Sequence, residues 1–184
     1  MPKKDWQTLN QQIVHENPWY RVRHDRTLMP SGAEGNYFVV ERAPTVAVVA
    51  ITNSLIATVG LWRYPVDRYS IELPAGSCED DEPLAAAKRE LWEETGLESD
   101  HWRRIGGFDP MNGLSDETSH VFLADRAKWV GGNGRDARDE GIQDFSWRTL
   151  PEIIGLIHRG AMQDAMSICA IMLLAADTGL LPVQ

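Results

Sequence analysis

The sequence lacks two features that would define its partners. Its 184 residues include 18 basic and 27 acidic side chains, a formal net charge of −9. Because Lys and Arg are not in excess, general electrostatic binding of nucleic acid or of an anionic membrane is disfavoured. No run approaches the roughly 20 apolar residues of a membrane-spanning helix. We therefore expect no nucleic-acid and no membrane partner, and any phosphate group must be bound locally or through a cation.

Cysteine is also scarce. Cys78 and Cys169 are the only two and lie far apart, which suits a reducing compartment better than a disulfide framework. The first residues, MPKKDWQTLNQQ, contain no apolar signal core. We therefore expect a cytoplasmic protein, and the length predicts one globular domain that can bury its own core.

Short β-branched and aromatic runs alternate with turn signals along the first half of the chain. Residues 20–28 and 36–42 flank MPSGAEG and predict a hairpin. Further strands are predicted at 45–51, 56–64, 69–73, 103–108, 120–124 and 144–149. Helices are predicted at 82–95, from 151 onward and at 161–176, so the sequence indicates a mixed α/β (α+β) fold.

The helix at 82–95 carries an unusual charge pattern. Asp81 is a suitable N-cap, and Gly96 suits the left-handed residue after the last turn. Glu90, Glu93 and Glu94 converge in space, and like charges four apart destabilise an isolated helix by roughly 0.2–0.5 kcal/mol. A pair between Arg89 and Glu93 compensates in part, and a Mg²⁺ ion bound by carboxylates would compensate further. A solvated acidic face is the usual explanation of such a charge run, and the spacing alone favours it over a metal site.

The whole segment resembles the Nudix box, in which a glycine and a glutamate precede Arg-Glu-aliphatic-any-Glu-Glu-any-Gly-aliphatic. RELWEETGL, residues 89–97, matches this second half at every defined position. The first half departs from the pattern, because Asp81 stands at the place of the first glutamate and Gly76 is one residue too close to it.

This resemblance implies the Nudix fold, with a mixed β-sheet sandwiched between helices, and Mg²⁺ as the metal, with Mn²⁺ as an alternative. Glu90, Glu94 and the backbone carbonyl of Ala75 are then the implied metal ligands. Glu93 would bind metal directly or through water, and Arg89 would orient the glutamates.

The flanking sequence WRYPVDRYSIELPAG, residues 62–76, resembles ADP-ribose and nucleotide-sugar pyrophosphatases. That subgroup implies hydrolysis of a nucleoside diphosphate sugar to a nucleoside monophosphate and a sugar phosphate. It also implies a homodimer, an N-terminal β-hairpin extension at 1–43 that serves dimerisation and the base pocket, and a Nudix hydrolase domain at 44–184.

The same resemblance suggests contacts to the substrate and a general base. Arg63 and Arg68 are assigned to the phosphates, and Ser115 and Glu117 to the sugar side of the substrate. Trp19 and Tyr20 are assigned to the nucleobase. Glu140 is the first choice for the general base that takes the proton from water, and Asp139 is the second. For each residue a role in packing, in a surface ion pair or in an ordinary loop remains open. Two other functions also remain open: hydrolysis of a dinucleotide, a nucleoside triphosphate or FAD at the same site, and nucleotide binding without catalysis.

Overall fold

The computed structural model describes residues 5–131 and 141–179, which form two compact units. The first unit contains the described residues up to Ala43 together with Asp109–Thr118. The second contains Pro44–Phe108 and the described residues from Ser119 onward. No helix of the described residues is long and apolar enough to cross a membrane.

The first unit is built on a three-stranded antiparallel sheet in the order β1-β2-β3. The strands are β1 (Gln7–Glu16), β2 (Arg21–Leu28) and β3 (Glu34–Glu41). β2 and β3 form the predicted hairpin. β1 was not predicted, because its sequence QTLNQQIVHE has no clear apolar alternation and all ten of its residues are exposed. Backbone pairing with β2, rather than burial, defines this strand.

The second unit is built on a seven-stranded mixed sheet, with strand order β12-β5-β4-β10-β9 and with β6 and β7 paired to β5 and β4. The strands of this sheet are β4 (Thr45–Thr52), β5 (Leu55–Arg63), β6 (Arg68–Glu72), β7 (Ala75–Ser77), β9 (His101–Phe108), β10 (Ser119–Asp125) and β12 (Ile142–Thr149). A separate two-stranded sheet pairs β8 (Leu97–Glu98) with β11 (Lys128–Trp129). The helices of the second unit are α1 (Pro83–Thr95), α2 (Leu150–His158) and α3 (Ala165–Asp177).

Helices cover both faces of this sheet, which confirms the predicted layered fold. Successive residues of a strand point to opposite faces, and β4 supplies two cores in this way. Val46 and Val48 pack with Leu91 of α1 on one face. Ala47 and Val49 pack with residues of α2 and α3 on the other. The apolar run TVAVVAI is therefore a central strand buried on both sides.

The strand that precedes α1 changes partner within a few residues. β6 pairs with β5 up to Glu72, and β7 pairs with β4 from Ala75. Leu73 and Pro74 therefore lie between the two ladders. This switch brings Ala75 and Gly76 beside α1.

The N-cap prediction for α1 is wrong. The N-cap is Glu82, which makes no side-chain capping bond, and the helix begins at Pro83. Asp81 instead uses its carboxylate to accept a hydrogen bond from Arg89. The C-terminal prediction is confirmed, since Gly96 has φ 68° and ends the helix.

Candidate active site

The two glutamates assigned to metal are buried on α1. Glu90 is 5% exposed and Glu94 6% exposed, so a solvated acidic face does not describe them. A buried carboxylate loses hydration and requires compensating polar contacts. Both glutamates have such contacts: Glu90 accepts from Arg89, and Glu94 accepts from a backbone amide of β7.

Arg89 is the centre of an ion-pair cluster at the start of the site. Its Nη1 donates to Glu90 Oε1 at 2.8 Å and to Glu93 Oε2 at 3.1 Å, and its Nε donates to Asp81 Oδ2 at 3.2 Å. Nη2 donates to the carbonyl of Ser77 at 2.8 Å. Burial opposes the charge of this guanidinium, but attraction to Glu90 and its neighbours outweighs that effect and raises the pKa of Arg89. The predicted pair with Glu93 is present, and one arginine fixes three carboxylates.

The strand β7, which precedes α1, lies directly against the glutamates. The amide of Ala75 donates to Glu94 Oε2 at 3.2 Å. Gly76 has no side chain, and a Cβ placed there would overlap the carboxylate of Glu90. Ala75, Glu90 and Glu94 are therefore brought together.

The two arginines assigned to phosphate lie side by side. Arg63 and Arg68 are directly opposite each other on β5 and β6, and both line a cavity of about 250 Å³. The guanidinium of Arg63 donates to both oxygens of buried Glu72, at 2.9 and 2.6 Å. These hydrogen bonds raise the pKa of Arg63 against the effect of burial, with further attraction from Glu94.

The two aromatic residues assigned to the base lie in the first unit. Trp19 and Tyr20 line a cavity of about 410 Å³ together with Arg21, Arg42 and Asp116. Trp19 is 77% exposed, which excludes a core role for this side chain within its unit. The amides of Trp19 and Tyr20 both donate to Asn17 Oδ1, at 2.9 and 3.0 Å. A local turn therefore presents both rings.

The two residues assigned to the sugar side have structural partners in the first unit. Glu117 is buried and accepts from Arg42 at 3.2 Å. The hydroxyl of Ser115 accepts from the amide of Glu117 at 3.1 Å. Arg42 also lines the aromatic cavity, so this loop is fixed to one of its walls. Glu140 and Asp139, the two candidates for the general base, lie outside the described residues.

Two residues at the start of α3 were not predicted as site residues. Ser167 Oγ accepts from the amide of Leu73, in the loop before Ala75, and Asp164 accepts from the amide and the hydroxyl of Ser167. The sequence offered one signal, since Asp is a preferred N-cap residue and Asp164 stands just before an apolar run. It offered no signal that the serine hydroxyl would face a loop more than ninety residues earlier in the chain.

Comparison with known proteins identifies the family. The Nudix domain profile matches residues 41–170. The chain belongs to the Nudix family. A second profile, the nucleoside diphosphate sugar hydrolase N-terminal domain, matches residues 6–40 of this Nudix chain.

Relatives and a solved structure agree with that assignment. An ADP-ribose pyrophosphatase of Mycobacterium tuberculosis is 30% identical over 97% of this chain and 87% of its own. One of Bacillus subtilis is 32% identical over 79% of this chain and 80% of its own. A crystal structure described as an ADP compounds hydrolase has a TM-score of 0.80 at 15% identity, covering 98% of this chain and 100% of its own, and supports the fold alone. The prediction that this chain is an enzyme, a Nudix pyrophosphatase, is confirmed.

Nudix hydrolases generally use divalent metal ions, and the residues present fit such an ion. Asp81, Glu90 and Glu93 share the single positive charge of Arg89, so the cluster keeps a surplus of negative charge. No group of three or more His, Cys, Asp and Glu among the described residues is placed to hold a metal by side chains alone. A Mg²⁺ ion needs only one or two carboxylates, with other oxygens from backbone, water and phosphate. Glu90, Glu94 and Ala75 provide such a donor set.

Proposed function

We propose that this Nudix enzyme hydrolyses the diphosphate bond of ADP-ribose or a related nucleoside diphosphate sugar, giving a nucleoside monophosphate and a sugar phosphate, with Mg²⁺ or alternatively Mn²⁺. Two relatives named ADP-ribose pyrophosphatase support this substrate class. So does the N-terminal match to nucleoside diphosphate sugar hydrolases.

The observation that carries the proposal is the burial of Glu90 and Glu94 beside Ala75 and Gly76. Two buried carboxylates on adjacent turns of one helix repel each other, and a divalent cation relieves that repulsion. When bound, the ion supplies neutralisation of the diphosphate charge and acidification of water.

The protein groups have distinct roles in the proposed reaction. Arg89 holds Glu90 and Glu93 in place, and the amide of Ala75 holds Glu94. Water forms a new bond to one phosphorus while the bridging P–O bond breaks, and the bridging oxygen leaves on the other phosphate. The proton of the water passes to Glu140, or to Asp139 as the second choice.

We assign substrate contacts to two cavities, one in each unit. Arg63 and Arg68 provide guanidinium groups for phosphate oxygens. Trp19 and Tyr20 provide exposed rings on which a base can stack. Ser115 and Glu117 are assigned to the sugar side, where Glu117 also anchors Arg42.

The proposal includes a homodimer in the cytoplasm, with residues 1–43 as the dimerisation and base-pocket segment of a Nudix domain at 44–184. Leu9, Ile13 and Val14 are exposed on β1, a surface suited to a second copy of the chain. Both cysteines are free, which suits a reducing compartment. Sedimentation equilibrium tests the dimer, and a monomer at all concentrations would exclude it.

The decisive experiment is an assay of the purified protein with ADP-ribose, ADP-glucose, GDP-mannose and FAD, in Mg²⁺ or in EDTA, with products identified by chromatography and mass. Glu94→Gln removes a proposed metal ligand while keeping the shape of the side chain. Glu98→Gln is the matched control, because Glu98 is exposed just beyond the same helix.

We expect monophosphate and sugar phosphate in Mg²⁺ only, retained in Glu98→Gln and reduced at least about 100-fold in Glu94→Gln. Turnover of FAD alone would change the proposed substrate and leave the proposed metal site unchanged. If folded protein acted on none of the four compounds, the nucleotide-sugar assignment would be wrong.

A further inference from the structure

Leu73 and Pro74 form a short break in the sheet just before the proposed metal ligand Ala75. β6 ends at Glu72 and β7 begins at Ala75, so neither ladder provides an acceptor for the amide of Leu73. Pro74 has no N–H. Leu73 is 1% exposed, and a buried backbone N–H requires a partner.

Ser167 is that partner. Its Oγ accepts from the amide of Leu73 at 2.8 Å, and the serine is itself 1% exposed. The hydroxyl proton is directed elsewhere, because Ser167 Oγ donates to Asp164 Oδ2 at 2.7 Å. Donation to a carboxylate makes the hydroxyl oxygen a better acceptor, since hydrogen bonds in a chain polarise one another.

Asp164 fixes the serine in a second way. It is the N-cap of α3, and its Oδ2 also accepts from the amide of Ser167 at 2.7 Å. The position of the hydroxyl is thus set by the first turn of a thirteen-residue helix that packs into the core. A rigid element therefore holds the amide of Leu73.

The next two residues are held by two other elements. The carbonyl of Pro74 accepts from the amide of Val48 on β4 at 2.8 Å. The amide of Ala75 donates to Glu94 on α1 at 3.2 Å. The three-residue segment from Leu73 to Ala75 is therefore fixed by α3, β4 and α1 in turn. The bond to α3 is the first of the three along the chain, two residues before Ala75.

We propose that Ser167, held by Asp164, is a positioning residue for the metal site, because its bond to Leu73 sets the place of the Ala75 carbonyl and of the Glu94 carboxylate. The inference rests on the proposed function, in which these two groups are metal ligands. Loss of the serine hydroxyl lets the segment shift relative to α1, and metal affinity then falls.

The test is a Mn²⁺ titration of substrate-free, full-length protein followed by electron paramagnetic resonance, with thermal melting of each variant without metal. Ser167→Ala removes the acceptor and Ser167→Thr keeps it. Asp164→Asn is a milder second variant. Thr58→Val is the matched control, since Thr58 is a buried hydroxyl of the same unit that bonds to Ser146 and Arg148 instead.

We expect the Mn²⁺ dissociation constant to rise about 10-fold in Ser167→Ala, as for other groups that orient a metal ligand. A smaller rise is expected in Asp164→Asn, with values near the parent in Ser167→Thr and Thr58→Val. Ser167→Ala and Thr58→Val should both melt at a lower temperature than the parent, so stability alone does not separate them.

Three outcomes would overturn the proposal. Parent-like Mn²⁺ affinity in Ser167→Ala with a lower melting temperature would make the serine purely structural. Equal weakening in Thr58→Val would make the effect one of general stability, and equal weakening in Ser167→Thr would exclude the hydroxyl as its cause. If the parent bound no Mn²⁺ at all, the proposed metal site itself would be wrong. Failure of the positioning role alone looks different, because the parent and Ser167→Ala would then both bind Mn²⁺ with the same affinity.

Discussion

The carboxylate of Glu90 occupies the space that a side chain at Gly76 would fill. A Cβ at position 76 would overlap the carboxyl carbon and both oxygens of Glu90. Gly76 is not among the residues with positive φ, so the glycine leaves room for the Glu90 carboxylate and does not serve an unusual backbone conformation. β7 and α1 therefore approach each other closely at the point where a metal is proposed to bind.

Gly76→Ala should reduce kcat/KM for ADP-ribose by about 100-fold, because the added methyl displaces the Glu90 carboxylate and a displacement of about 1 Å at a reacting site can cost that much. Gly113→Ala is the control, since a Cβ at position 113 meets no atom within 4 Å. Steady-state kinetics and circular dichroism of both variants provide the measurement. Activity near the parent in folded Gly76→Ala would mean that Glu90 can move without loss of function.

Asp81 should contribute less than its place in the Nudix box suggests. Its side chain is 48% exposed, and without it Arg89 keeps Glu90, Glu93 and the carbonyl of Ser77. An exposed ion pair contributes about 0.2–1 kcal/mol, so Asp81→Ala should lower kcat by less than about tenfold. Arg89→Lys should lose more, because an ammonium cannot reproduce the planar fork. A larger loss in Asp81→Ala than in Arg89→Lys would reverse this ranking.

His120 should make stability depend on pH. Burial, and to a lesser extent Arg104, lowers the pKa of His120 from its ordinary value of 6.5, and its Nδ1 is buried without a partner among the described residues. As the pH falls, His120 of the unfolded chain therefore binds a proton at a higher pH than His120 of the folded protein. Stability is fully present above the unfolded pKa and falls as the pH decreases from 6.5 towards the lower folded pKa.

Urea denaturation between about pH 8 and pH 5 measures this effect in the parent and in His120→Gln. We expect the parent to lose stability on acidification across that range, and the variant to lose less. Equal slopes in the two proteins would show that other groups cause the pH dependence.

Trp19 should affect substrate binding and not stability. Stacking of a base on an aromatic side chain contributes about 1–3 kcal/mol, so Trp19→Ala should raise KM for ADP-ribose roughly tenfold. The control is Trp129→Ala, another tryptophan that is mostly exposed, at 73%. Melting temperatures of both variants should match the parent. An unchanged KM in Trp19→Ala would place the base elsewhere.

The elements best predicted from the sequence are those whose local signals agree with their burial. The apolar run of β4 and the helix from Pro83 to Gly96 are of this kind. β1 was missed because its backbone pairing with β2 leaves no apolar pattern. The N-cap was wrongly predicted at Asp81, because the carboxylate of Asp81 forms an ion pair with the half-buried Arg89 and does not cap the helix.

What could be predicted of the site from the sequence was limited in the same way, to features with a local signal. The crowding of Glu90, Glu93 and Glu94 could be recognised because the three lie within one helix, where spacing determines proximity. The bond between Ser167 and Leu73 could not, because it depends on how α3 packs against a sheet whose strands are distant in sequence.

The parallel pairing of β4 with β10 has a consequence for synthesis of the chain. Thr45 lies beside Ser119, 74 residues later, so the central strand remains open on that side until most of the sequence has left the ribosome. The acidic helix α1 is made well before this strand arrives. Pairings over such distances form slowly, and apolar β4 is an aggregation-prone edge in the meantime. A nascent chain that stops before Asp125 should therefore depend on a chaperone that shields Val46–Ala50, and pulse proteolysis of stalled chains of increasing length would reveal protection only beyond that residue.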